Sequence, residues 1–83
     1  MVAKMEKNEM IDILTPIFRN VFADRALQVS DELNSTSVAN WDSLSHMLLI
    51  TEIENHFHIK FKLKDLNKMR NVGDMMEVIN TKL

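Results

Sequence analysis

Asn40-Trp41-Asp42-Ser43-Leu44-Ser45, running on into His46-Met47-Leu48-Leu49-Ile50-Thr51-Glu52-Ile53-Glu54-Asn55-His56-Phe57, marks the join between a polar loop and an apolar helix. Asp42 is suited to cap that helix, because its carboxylate can accept from backbone N–H groups that the first turn leaves unpaired. Ser43 then falls in the first turn with its hydroxyl facing water. The same helix end carries the positive end of the helix dipole, so a phosphate esterified to Ser43 is stabilised there without a basic pocket. Read from Ser43 to His58, the helix has an inward stripe of Leu49, Ile50, Ile53 and Phe57. Leu44, Met47, Leu48 and Thr51 lie on another face. Leu44, Met47 and Leu48 cannot all reach the core that the inward stripe reaches, so at least one is expected to be exposed near Ser43. An exposed apolar patch beside a functional group marks a docking site. The plainer alternatives are a helix-capping role for Ser43 and ordinary burial for the three apolar residues.

Upstream, Met10, Ile13, Leu14, Ile17, Phe18, Val21 and Phe22 recur at three and four residues between Met5 and Ala23, which is one helical face. Pro16 lies inside that pattern. It removes a ladder hydrogen bond and crowds the preceding turn, so a kink near Asp12–Pro16 is expected, or a break with Thr15 capping a second piece. Residues 24–41 have no sustained period and are rich in Asp, Ser, Asn and Thr. They read as a long ordered loop pinned by Leu27, Val29, Leu33 and Val38, with room for a helical turn within Ser30–Asn34. Loops of this length in small domains are commonly functional or disordered.

Downstream, Ile59 and Phe61 alternate with Lys60 and Lys62 as a short extended link. Leu63–Lys68 is expected to form a short third helix. Asn71 is a good N-cap for a fourth, with Asp74 favouring its N-terminus and Val72, Met75, Met76, Val78 and Ile79 as its core face. The fold class expected is therefore all-α: a small four-helix bundle of three longer helices and one short one, with a long loop between helices 1 and 2. Its expected core is Ile13, Leu14, Ile17, Phe18, Phe22, Leu49, Ile50, Ile53, Phe57, Phe61, Leu66, Val72, Met76 and Ile79. The seven methionines either fill gaps in that core or make it deformable enough to admit a guest chain.

Residues 1–83 read as a single domain. A chain of 83 residues buries roughly 60–65% of the surface its unfolded form exposes, so a stability of only a few kcal/mol is expected. One Gly and one Pro argue against a sheet rich in tight turns, and the absence of Cys removes disulfides, thiolate metal sites and thiol catalysis. No apolar run approaches the roughly 18 residues of a membrane span. Residues 1–7 have no apolar signal core and continue into the helical pattern, so a cytoplasmic location is expected, with no membrane insertion. Net charge is −2. Residues 1–42 hold four basic and seven acidic side chains; residues 43–83 hold six basic and five acidic.

Several residues invite chemistry that the pattern does not support. His56 and His58, two apart, lie on different faces, and His46 is ten residues before His56; the three are expected to be solvated or partner-facing, with no metal site. Glu52 and Glu54 point away from each other and are not a catalytic pair. No base is evident next to Ser43, so a hydrolase-type nucleophile is not expected. The basic run Lys60, Lys62, Lys64, Lys68 and Arg70 is broken only by Asp65. With Phe61 its sole interleaved aromatic in a net-acidic chain, no nucleic-acid partner is expected; a solvated face or a partner-docking surface remains.

From about Met5 to Leu83 the chain resembles an acyl carrier protein. The likeness is densest in Trp41-Asp42-Ser43-Leu44, in Leu49-Ile50-Thr51-Glu52-Ile53-Glu54-Asn55-His56-Phe57, in Ile59-Lys60-Phe61 and in Asn71-Val72-Gly73-Asp74. Such proteins carry a 4′-phosphopantetheine arm on the serine of Asp-Ser-Leu at the start of the second of four helices. The resemblance implies attachment at Ser43, recognition of Asp42 by a phosphopantetheinyl transferase, and apolar partner contacts at Leu44, Met47 and Leu48. It implies a non-catalytic protein that holds acyl groups as thioesters for acyl-loading and acyl-using enzymes of fatty-acid, polyketide or other specialised biosynthesis. A monomer is expected.

Two departures bear on the pathway. In the better-known fatty-acid carriers the position of Trp41 is usually small; here Trp41 is either a loop plug, the favoured reading, or a wall of the partner surface. Fatty-acid carriers also commonly place acids just after Asp-Ser-Leu, whereas here Ser45, His46, Met47 and Leu48 follow and the first acids are Glu52 and Glu54. Docking is thus expected to rely more on apolar contact and less on charge steering, with weak salt dependence of partner binding, and these departures point to a specialised carrier of a secondary or cell-surface pathway. A peptidyl or aminoacyl carrier is the nearest alternative, although those usually show glycines before the serine. The rival from another class is a non-enzymatic helical interaction domain in which Ser43 only caps.

Overall fold

Four helices, α1 (Lys7–Val21), α2 (Ser43–Phe57), α3 (Leu63–Asn67) and α4 (Val72–Lys82), organise residues 5–83, which are the residues the computed structural model describes. The expectation for the first four residues lies outside them. No strand occurs among the described residues, and none of their helices is long and apolar enough to cross a membrane.

Met10, Leu14 and Phe18 form the buried stripe of α1. The helix runs without a break through Pro16, so of the two expected outcomes, a kink near Asp12–Pro16 or a break with Thr15 capping a second piece, the break does not occur. Instead the Thr15 hydroxyl donates to the Ile11 carbonyl at 2.7 Å. Pro16 itself is exposed, and fully buried side chains on both sides of it, Leu14 and Phe18, hold the two halves against one core. Tertiary packing of an apolar face outweighs a local propensity defect. The helix ends with Ala23 in the left-handed region at φ 52°, where the Asp24 N–H reaches back to the Arg19 carbonyl at 3.0 Å.

The long connection to α2 is held by its apolar residues. Val29 and Val38 are buried, and Leu27 and Leu33 are half-buried against the core. Arg19 Nε donates to the Leu27 carbonyl at 2.9 Å. Near Ser30–Asn34 there is a hydrogen-bonded turn, Leu33 N–H to the Ser30 carbonyl at 3.2 Å, rather than a helix. This loop also satisfies the start of α4: the Val72 N–H donates to the Leu33 carbonyl at 3.0 Å and the Gly73 N–H to the Asp31 carbonyl at 2.9 Å. A Cβ on Gly73 would stand 3.4 Å from that Asp31 oxygen and 3.3 Å from Asn71 Oδ1, so the close approach favours glycine. Asn71 Oδ1 caps α4 by accepting the Asp74 N–H at 2.8 Å, as its position suggested.

The core cluster joins Met10, Leu14, Phe18, Phe22, Val29, Val38, Leu49, Ile53, Ile59, Val72, Met75, Met76 and Ile79. Five residues expected there, Ile13, Ile17, Phe57, Phe61 and Leu66, are only half-buried. Each sits at the border of an inward stripe or on a short segment, where neighbours cover one side of it. Their places are taken by Met10, Val29, Val38, Ile59 and Met75. The third helix stops at Asn67, one residue short of expectation. Its one acid, Asp65, is buried and accepts from the Lys62 N–H at 2.8 Å and from Lys82 Nζ at 2.8 Å. That pair ties the end of α4 to α3. Lys82 first, then the Lys62 N–H, holds the Asp65 carboxyl below its ordinary range.

Candidate functional site

The start of α2 is fixed by a reciprocal cap. Asp42 is extended, at φ −118° and ψ −171°, which turns its carboxylate back towards the helix. Its Oδ1 accepts the Ser45 N–H at 2.9 Å, and Ser45 Oγ accepts the Asp42 N–H at 2.8 Å. The Ser45 hydroxyl then donates to the Asn40 carbonyl at 2.7 Å. Asp42 was expected to cap; the return bond from Ser45 was not. The Ser45 N–H, then its hydroxyl, lowers the Asp42 carboxyl below its ordinary range. Because Asp42 and Ser45 supply this cap, Ser43 stands exposed in the first turn with its side chain uninvolved in it.

Trp41 is half-buried and packs edge-on against Phe18, with ring centroids 5.6 Å apart at 82°, and against Phe22 at 5.4 Å. It is the plug that was favoured. It also reaches the surface, where its indole Nε1–H donates to His46 Nδ1 at 3.0 Å and the two rings stack at 19°. His46 is therefore a half-buried partner of Trp41, not a solvated residue. Burial lowers its pKa below the ordinary value, and accepting through Nδ1 places the neutral ring's proton on Nε2. His56 and His58 are exposed, and His58 ends α2 in the left-handed region at φ 57°. No group of three or more His, Cys, Asp or Glu among the described residues is arranged to hold a metal ion.

Leu44, Met47 and Leu48 are all exposed, at 73%, 51% and 52%. The core-burial alternative fails for each of them. Beside them an open groove of about 540 Å³ is lined by Ser35, Trp41, Asp42, Ser43, His46, Met47, Met69 and Arg70. Met69 carried no site signal in the sequence, and Arg70 only as part of the basic run; the turn after α3 brings both to the groove that Ser43 lines. Arg70 is held only loosely, with Nε 3.6 Å from Asp74.

No protein-family model matches the chain, and no curated protein sequence does. Among solved structures, it is similar to the solution NMR structure of a holo acyl carrier protein from Geobacter metallireducens, with 46% identity and a TM-score of 0.82 over 87% of this chain and 83% of that one. The chain belongs to the acyl carrier protein family. Acyl carrier proteins are carriers rather than catalysts, and four helices with a long connection before the second are the architecture that the resemblance implied. In this acyl carrier protein the groove beside Ser43 has an aromatic wall, Trp41 with His46, anchored on Phe18 and Phe22.

Proposed function

We propose that this acyl carrier protein is modified at Ser43 with 4′-phosphopantetheine, is not itself a catalyst, and presents its cargo to enzymes that dock on Leu44, Met47 and Leu48. The observation that carries this is an exposed serine in the first turn of α2 whose cap is made by its neighbours. Ser43 Oγ is free of the Asp42–Ser45 box and opens on the groove, so these residues fit the group. The Asp42 carboxylate and the exposed Leu44 give a phosphopantetheinyl transferase an acid and an apolar contact on either side of the hydroxyl.

In the modification, Ser43 Oγ forms the new bond to phosphorus, the pyrophosphate bond of coenzyme A breaks, and adenosine 3′,5′-bisphosphate leaves. The serine proton goes to the transferase. The two titratable groups nearest in sequence are both engaged: His46 accepts through Nδ1 from Trp41, and Asp42 from Ser45. The bound arm supplies a terminal thiol that holds an acyl group as a thioester. The dipole of α2 stabilises the phosphodiester at its N-terminus.

Intact mass after incubation with coenzyme A, Mg²⁺ and a permissive transferase tests the site. Wild type is expected to gain one phosphopantetheine, and a folded Ser43→Ala variant none. A gain in Ser43→Ala would move the site elsewhere. A folded wild type refused by two transferases would favour the interaction-domain reading.

A further inference from the structure

The basic stretch 60–70, which the proposed carrier role leaves unused, runs beside α2. At one end the Phe61 N–H donates to Glu54 Oε2 at 2.8 Å; at the other, Met69 and Arg70 share the groove with Ser43 and Met47. The stretch therefore meets α2 near its last turns and again at the groove beside its first. Lys60, Lys62, Lys64, Lys68 and Arg70 are all exposed, whereas Asp65, the one acid among them, is buried and paired with Lys82. Turning Asp65 inward leaves cations as the only charged groups that the stretch shows to solvent. Glu54 is occupied with the Phe61 N–H, and Glu52, one turn on from Leu48, borders the ridge on the flank away from the 60–70 stretch. The apolar ridge of Leu44, Met47 and Leu48 thus has a cationic border on the side of the 60–70 stretch, where Arg70 shares the groove with Met47, and Leu63 within that stretch is itself 75% exposed.

The geometry points to a docking surface of reversed polarity: partner enzymes meet the ridge with an apolar centre and the 60–70 flank with an acidic rim. This rests on the carrier reading for what is presented, but not for the contact itself. Charge complementarity selects the partner, since like charges facing each other across an interface are strongly unfavourable and opposite charges raise the rate of encounter. It predicts a salt-dependent contact, whereas the apolar residues that follow Ser43 led, by themselves, to an expectation of weak salt dependence.

Two synthetic amphipathic helical peptides with identical leucine faces, one bordered by Glu and one by Lys, are titrated into the isotope-labelled protein with Ser43 unmodified. The Glu-bordered peptide is expected to shift the amides of Leu44, Met47, Leu48 and residues 60–70, and to bind at least about tenfold tighter than the Lys-bordered one at low salt. That advantage should vanish near 1 M salt, where the Debye length is about 3 Å. A Lys62→Glu/Lys64→Glu variant, shown folded by its Trp41 indole resonance, should lose the preference. Equal binding of the two peptides, binding by neither, or shifts away from this face would overturn the proposal. So would docking of the same face on vesicles containing phosphatidylglycerol in preference to the Glu-bordered peptide, which would make a lipid surface the partner. None of these outcomes depends on phosphopantetheine, so failure here leaves the Ser43 assignment standing, and failure at Ser43 leaves this surface to be judged by itself.

Discussion

On α2, Leu49 and Ile53 have no exposed surface and Ile50 has 3%, whereas Leu44, Met47 and Leu48, of the same chemical kind, are more than half exposed. Helical period alone separates the two sets. On one side Met10, Leu14 and Phe18 of α1 and Val72 and Met76 of α4 share one buried cluster with Leu49 and Ile53; on the other side no described residue buries the ridge. Burying a side chain of this size is worth about 1.5–3 kcal/mol, so the ridge forgoes stabilisation that the opposite face collects. The difference teaches that apolar character marks two roles on one helix, and that coverage by other elements tells them apart.

The largest test of that contrast is Ile53→Ala. Removing a fully buried side chain costs both transfer energy and a residual cavity, about 2–5 kcal/mol, read as a fall in the urea midpoint. In a domain of this size that is a large share of its total stability. A loss below about 1 kcal/mol would mean that the inward face can collapse around the gap, and the contrast between the faces would be lost.

The cap comes next. Ser45→Ala removes the acceptor for the Asp42 N–H and is expected to lower stability by about 1 kcal/mol. Ser43→Ala, one turn position away from those bonds, should change it by less than about 0.5 kcal/mol. Equal losses would show that Ser43 shares the capping work, and would weaken the case that it stands free for modification.

A smaller effect is expected from pH. His46 has its folded pKa depressed below the unfolded value of 6.5, through burial. Its unfolded form therefore binds more protons as pH falls through that value. The contribution to stability is complete above about pH 6.5 and is lost as pH drops towards the folded pKa. Protonation also removes Nδ1 as acceptor for the Trp41 indole. The thermal midpoint should fall as pH drops below about 6.5, and the Trp41 indole resonance should shift at the lower pH where folded His46 takes up its proton; a His46→Gln variant should show a flatter profile for both. A wild-type profile as flat as the variant's would separate Trp41 from His46.

What was legible in the sequence is what local chemistry encodes. The cap at Asp42, the cap at Asn71, Leu49, Ile50 and Ile53 on the inward face of α2 and the core face of α4 follow from residue type and period, and the structure places them as read, while Phe57 at the end of that inward face is only half-buried. For Pro16 the sequence left a kink or a break open; the packing of Leu14 and Phe18 on either side of it keeps the helix unbroken. The Trp41–His46 bond spans a helix start, where period has no meaning. Asp65 and Lys82 are seventeen positions apart and share no pattern. Met69 and Arg70 reach Ser43 only because the segment after α3 turns back along α2. Ser43 could thus be picked out as a candidate from its own neighbourhood, while the groove beside it and the cationic border of the ridge required the fold.

The smallest expected change in stability is the most telling about the ridge. Leu48→Ala removes apolar surface already half in water, so the folded and unfolded chains lose similar hydration and the fold should move by less than about 0.5 kcal/mol. If Leu48 served the core, the loss would approach that of Ile53→Ala. If it serves partners, the same variant should weaken enzyme docking while the urea midpoint stays put. Leu44→Ala and Met47→Ala should behave alike, with Leu44, the most exposed of the three, the least costly to the fold. Loss of docking without loss of stability in all three would separate the faces of α2 by role as well as by exposure. Loss of stability in any of them would place that residue on the inward side of the contrast.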